Sequence, residues 1–76
     1  MGTLADLRRG ESTRLMKLLL PPELAHCIME AGFVPGTLIT LMHCAPGGCP
    51  RVYRLDGADI AIRRELAASL QVEDQP

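Results

Sequence analysis

The stretch GFVPGTLITLMHCAPGGCPRVYRLDGADIAIR, residues 32–63, decides the fold, because clusters of turn residues cut it into short alternating segments. Pro35 fixes its own φ near about −65° and Gly36 tolerates positive φ, so the pair suits the two central positions of a type II turn. Gly32, just before it, suits the left-handed stop of a helix. Pro46, Gly47, Gly48 and Pro50 reverse the chain again, with Ala45 leading in, and Asp56-Gly57 is a strong two-residue hairpin signal. Between these reversals there is room only for short strands.

Residues 37–45 alternate, with Ile39, Leu41 and Ala45 on one side and Thr40 and Cys44 on the other, as a half-buried strand requires. Residues 51–56 place Tyr53 and Leu55 inward, opposite Val52 and Arg54. Residues 59–63 place Ile60 and Ile62 inward. Working outward, residues 12–20 form a first strand rich in long aliphatics and ended by Pro21 and Pro22. Pro22 and Glu23 suit a helix's first turn. The helix over residues 22–31 would dock through Leu24, Ile28 and Ala31, since a helix this short is marginal alone in water. In residues 1–9, Leu4 and Leu7 cap one end of the core. Residues 64–69 make one helical turn, 70–72 a last strand, and 73–76 fray.

Five such strands are too few for two adequate sheets. The economical solution is a mainly β fold, a small SH3-like barrel of about five strands with one short inserted helix, forming a single domain over residues 1–76. The chain has 76 residues, 47% of them hydrophobic but only 3% aromatic, so Phe33 and Tyr53 are the only rings in an otherwise aliphatic core. A net charge of −1 gives no electrostatic drive toward phosphate backbones, which excludes nucleic acid as a partner class. No apolar run approaches the ~20 residues of a membrane-spanning helix, and no signal peptide opens the chain, so no direct membrane insertion is expected and the cytoplasm is its place. Three cysteines, an odd number, fit a reducing compartment better than a disulfide framework.

In order along the chain, LADLRRGE at 4–11, GFVPG at 32–36, APGGCP at 45–50, Gly57 and IAIRRELA at 60–67 resemble the FeoA-type ferrous iron transport proteins, small bacterial SH3-like barrels. The resemblance covers nearly the whole chain, and the joint pattern is far more specific than its pieces. It implies a cytoplasmic accessory of ferrous iron uptake, with no enzymatic activity. Its partner would be the cytoplasmic domain of a membrane ferrous iron transporter that carries a G-protein domain, and contact would recruit it to the inner face of the membrane. The same fold occurs as a C-terminal domain of iron-dependent repressors, but with no DNA-binding segment ahead of it a free-standing accessory is expected. Three positions depart from the family pattern. Cys49 stands where an aspartate is usual, Cys27 where an arginine is common, and Arg51 where an apolar residue is usual.

The soft-metal candidates are His26, Cys27, His43, Cys44 and Cys49, and the set His43, Cys44 and Cys49 is the one that would hold zinc or ferrous iron in an alternative carrier or sensor role, no cofactor being otherwise required. Consecutive His43 and Cys44 should point to opposite faces, which argues against a shared ion, whereas Cys44 and Cys49 flank one turn. The bland reading is a set of small thiols, with Cys27 packed beneath Leu24 and Ile28 and His26 facing solvent. Arg51, Arg54, Arg63 and Arg64 read as a solvated face, or as the border of a surface that recognises an acidic patch. Leu38 and Met42, on the outward parity of their strand, would join Arg63 and Arg64 in contacting the partner or a second copy of the chain. SH3-type capture of proline-rich peptides needs an aromatic groove, which two rings scarcely build.

Overall fold

The computed structural model describes residues 2–73. Its strands are β1 (Gly2–Thr3), β2 (Ser12–Leu18), β3 (Leu38–Cys44), β4 (Arg51–Leu55), β5 (Ala58–Ile62) and β6 (Leu70–Val72), with helices α1 (Pro22–Glu30) and α2 (Arg64–Ala67). All pairings are antiparallel and the spatial order is β1-β6-β2-β3-β4-β5. The mainly β, SH3-like class holds. The sheet is open rather than closed, and the sixth strand is β1, too short to show any alternation in sequence.

Each turn forms as its residues dictate. The Val34 carbonyl accepts from the Thr37 N–H at 3.1 Å across Pro35 and Gly36, and Gly36 takes φ 93°. Asp56 and Gly57 both have positive φ, 50° and 79°, and close the pair Leu55↔Ala58, the geometry of a type I′ hairpin. Pro46–Gly48 forms a 3-10 turn with Gly47 at φ 85°, and the Ala45 N–H closes it on the Pro50 carbonyl at 3.0 Å.

β2 changes partners along its length. Ser12–Arg14 pair with β3, and Leu15 to Leu18 pair with β6. A bulge at the changeover leaves Met16 unpaired, so Leu18 rather than Lys17 turns inward against Leu70. One extra residue thus bends the strand around the core and keeps a charge out of it. The core is one cluster that includes Leu4, Leu7, Leu15, Phe33, Ile39, Leu41, Tyr53, Leu55, Ile62 and Leu70, with Ile60 and Leu18 packed against it.

Helix α1 docks through Ile28 as its spacing suggests, but flanked by Ala25 and Met29 instead of Leu24 and Ala31. Ala25, Ile28 and Met29 are half-buried, while Leu24 is 44% exposed and Ala31 is exposed. At 100° per residue Cys27 lies almost opposite the Ala25–Met29 stripe, so it is exposed and does not pack beneath Leu24 and Ile28. The helix stops in a Schellman arrangement, with Phe33 N–H on the Ile28 carbonyl and Gly32 N–H on the Met29 carbonyl. Gly32 sits at φ 118°, and a Cβ there would lie 2.7 Å from Leu55 Cδ1.

Arg51 is the largest departure from expectation. It belongs to no solvated face: it shares the inward parity of Tyr53 and Leu55 and is 8% exposed. Its Nε donates to the Tyr53 hydroxyl at 2.7 Å, and its Nη2 donates to the carbonyls of Leu4 and Leu7. The Tyr53 hydroxyl in turn donates to the Leu4 carbonyl at 2.7 Å. The guanidinium thus ties the amino-terminal lead-in to β4 using only neutral acceptors. Of residues 73–76, expected to fray, 74–76 lie outside the described residues.

Candidate interaction surface

The outer face of the sheet is built by register. One row across it runs Thr40, Arg54, Asp59, and the next runs His43, Val52, Ala61. A bulge between Leu41 and His43 leaves Met42 unpaired, so alternation from Leu41 sends Met42 outward and the register sends His43 outward beside it. The same bulge reverses the parity expected for the end of the strand. Cys44 comes to pair with Arg51 on the inner side at the open end, instead of lying outward with Thr40.

Leu38, paired with Arg14 across β2, is 50% exposed, and Met42 four residues on is half-buried. Val52 and Ala61 complete an apolar strip from β3 to β5. Both lie at outward positions of their alternation, but they are too ordinary to stand out in the sequence. Arg63 continues the outward parity just past β5, and Arg64 opens α2. Both are exposed, and neither has an ion-pair partner among the described residues. Arg54, by contrast, grips Asp59 through Nε at 2.7 Å and Nη2 at 3.1 Å. That bond lowers the Asp59 carboxyl below its ordinary value, outweighing the opposing effect of burial, and the nearby Arg54 charge adds to it. Of these four arginines, Arg63 and Arg64 are exposed without an ion pair among the described residues, Arg54 is held by Asp59, and Arg51 is withdrawn into the core.

The metal candidates are not gathered. Cys27, Cys44 and Cys49 are exposed free thiols, and His26 sits 2.9 Å from Glu30 on the solvent side of α1. Among the described residues no group of three or more His, Cys, Asp or Glu is placed to hold a metal ion. Neither is any helix long and apolar enough to cross a membrane.

The FeoA domain model matches residues 2–74. This chain belongs to the FeoA family. It is 34% identical over 70 residues to a Porphyromonas gingivalis Fe(2+) transport protein A/Fe(2+) transporter FeoB fusion protein, a match covering 92% of this chain and 8% of that one. The iron(II) transport protein A of Clostridium thermocellum superposes with a TM-score of 0.87 at 32% identity, over 93% of this chain and 44% of that one. The zinc complex of Stenotrophomonas maltophilia FeoA, described as a prokaryotic SH3 domain protein, superposes with a TM-score of 0.80 at 25% identity, over 96% and 91% of the two chains. The FeoA family is associated with ferrous iron transport, and the chain spans only a small part of the fused relative.

Proposed function

We propose that this FeoA-family chain is a cytoplasmic accessory of ferrous iron uptake that acts by contact, docking on the cytoplasmic G-protein domain of the membrane Fe(II) transporter and biasing the states that domain adopts. The observation that carries this reading is the Porphyromonas relative, in which an FeoA part and an FeoB transporter are joined in one chain. Such a linkage holds two modules at an effective concentration of roughly millimolar, which is useful when they act on each other.

The surface offered for that contact is the outer strip, with Leu38 and Met42 on β3 and with Arg63 and Arg64 at the end of β5. Apolar side chains supply desolvated contact area, and the two free guanidiniums supply steering toward carboxylates. A ligand gains influence over a two-state partner only through its different affinity for the two states, so no reaction on this chain is needed. This contact needs no metal, and among the described residues no group of three or more His, Cys, Asp or Glu is placed to hold one.

The test is capture of the transporter's soluble cytoplasmic domain by the unmodified chain, by Leu38→Glu/Met42→Glu, and by a variant with all three cysteines changed to serine. The proposal expects capture by the first and third and loss with the second. Capture undiminished by the two glutamates would remove the surface, and loss with the serine variant would restore a thiol or metal role.

A further inference from the structure

We propose that the free edge of β5 is a self-association site, at which two copies of this chain pair antiparallel about a twofold axis centred on Ile60. Two strands end the open sheet, β1 with two residues and β5 with five, and among the described residues no strand lies beyond β5. Because Leu55↔Ala58 closes the two-residue turn, it is a hydrogen-bonded pair, and so are Tyr53↔Ile60 and Arg51↔Ile62. Asp59 and Ala61 therefore aim their N–H and C=O groups outward, away from β4. Native edges of this kind are commonly blocked by lysine, proline or a bulge. β5 has none of these: its sequence is ADIAI, its pairing with β4 is regular, and its one charge, on Asp59, is paired with Arg54 on the same sheet.

One register suits the edge to itself best. With Ile60 opposite Ile60 of the second copy, Asp59 faces Ala61 of that copy and Ala61 faces its Asp59, so every outward N–H and C=O at these positions finds a partner. Sliding by two residues one way sets Asp59 against Asp59, a like-charge pair. Sliding the other way needs Arg63, which lies past the end of β5 as the N-cap of α2, with its carbonyl sharing its lone pairs with the Ala67 N–H at 3.0 Å. Slides by one residue oppose outward groups to inward ones. In the centred register Arg63 lies diagonal to Asp59 of the second copy, within reach of a long side chain. On the inner face the half-buried Ile60 meets its own copy and Ala58 meets Ile62. Backbone, charge and apolar faces are thus all self-complementary, as an isologous contact requires.

This edge is independent of the partner reading, and its test needs no transporter. The unmodified chain is sedimented under reducing conditions at concentrations up to about 1 mM, the range a small interface of the transient class calls for. In parallel, Ile60→Cys and Ala58→Cys are each placed in a background with Cys27, Cys44 and Cys49 changed to serine and oxidised with diamide. At the axis, opposite Cα atoms of a non-hydrogen-bonded pair are about 4.5 Å apart, inside disulfide reach. Two Ala58 positions would be about 13 Å apart. The proposal expects reversible dimers, and covalent dimer from Ile60→Cys forming at least about ten times faster than from Ala58→Cys, whose sulfurs lie beyond bonding range. A chain that stays monomeric across the range overturns it, and so does a dimer that Ile60→Cys fails to trap preferentially.

Discussion

Arg51 shows how one residue can be misread by its type and still be governed by its position. A buried guanidinium costs several kcal/mol in lost hydration on the order of any single ion, so it persists only where donors are satisfied. Here the Tyr53 hydroxyl and the carbonyls of Leu4 and Leu7 do this, and the guanidinium carbon lies 5.8 Å from the Tyr53 ring centre. Arg51→Ala removes the donor to the Leu7 carbonyl, and urea denaturation should show a loss of roughly 2–3 kcal/mol. A change within about 0.5 kcal/mol, typical of a surface site, would mean that the guanidinium does not hold the lead-in. The inward parity of Arg51 was legible in the alternation with Tyr53 and Leu55, but its charge argued for solvent, and the acceptors that decide the matter lie more than forty residues away in sequence. Tyr53 makes a second prediction. Burial raises its phenol above the ordinary 10.0, with Arg51 pulling the other way less strongly. A raised folded value means that the neutral phenol's contribution is complete below pH 10 and is lost as pH climbs through the folded value. Melting temperatures should therefore fall above pH 10 in the unmodified chain and fall less steeply in Tyr53→Phe; parallel profiles would contradict it. At the thiols, equimolar zinc should leave the melting temperature of the reduced protein unchanged, because no three ligands converge among the described residues. A marked rise would show that they do.

At the scale of elements, turn chemistry was the readable part and strand parity the deceptive part. The Val34 to Thr37 turn, the Asp56-Gly57 hairpin and the Gly32 stop follow from φ limits that act within a few residues, so local sequence suffices to place them. The bulges at Met16 and Met42 do not follow from local sequence, since each exists because a neighbouring strand pairs on both sides of it. One keeps Lys17 out of the core, and the other moves Cys44 to the inner side. The stripe of α1 is likewise set from outside the helix: Leu24 is as apolar as Ile28, yet Ala25, Ile28 and Met29 are the residues that are half-buried. Gly32→Ala tests the helix stop directly. Positive φ and a 2.7 Å approach to Leu55 Cδ1 together should make it destabilising by more than about 1 kcal/mol. A neutral effect would mean that Leu55 yields and the backbone relaxes at no measurable cost.

For the whole molecule, an open six-stranded sheet with a core on one side leaves two kinds of surface, an outer face and an edge. The outer face carries the candidate partner contact. Leu38, Met42, Arg63 and Arg64 were legible as outward residues of the sequence, whereas the strip of Val52 and Ala61 that joins them depends on register across three strands. In the proposed complex this face binds the transporter's cytoplasmic domain through charge as well as apolar contact. The most direct measurement is calorimetric titration of that domain with the unmodified chain and with Arg63→Glu/Arg64→Glu, repeated across a series of salt concentrations. The account predicts that charge reversal weakens binding by about tenfold or more at low salt, with the gap narrowing as salt shortens the Debye length. Equal affinities for the two chains at every salt concentration would contradict it.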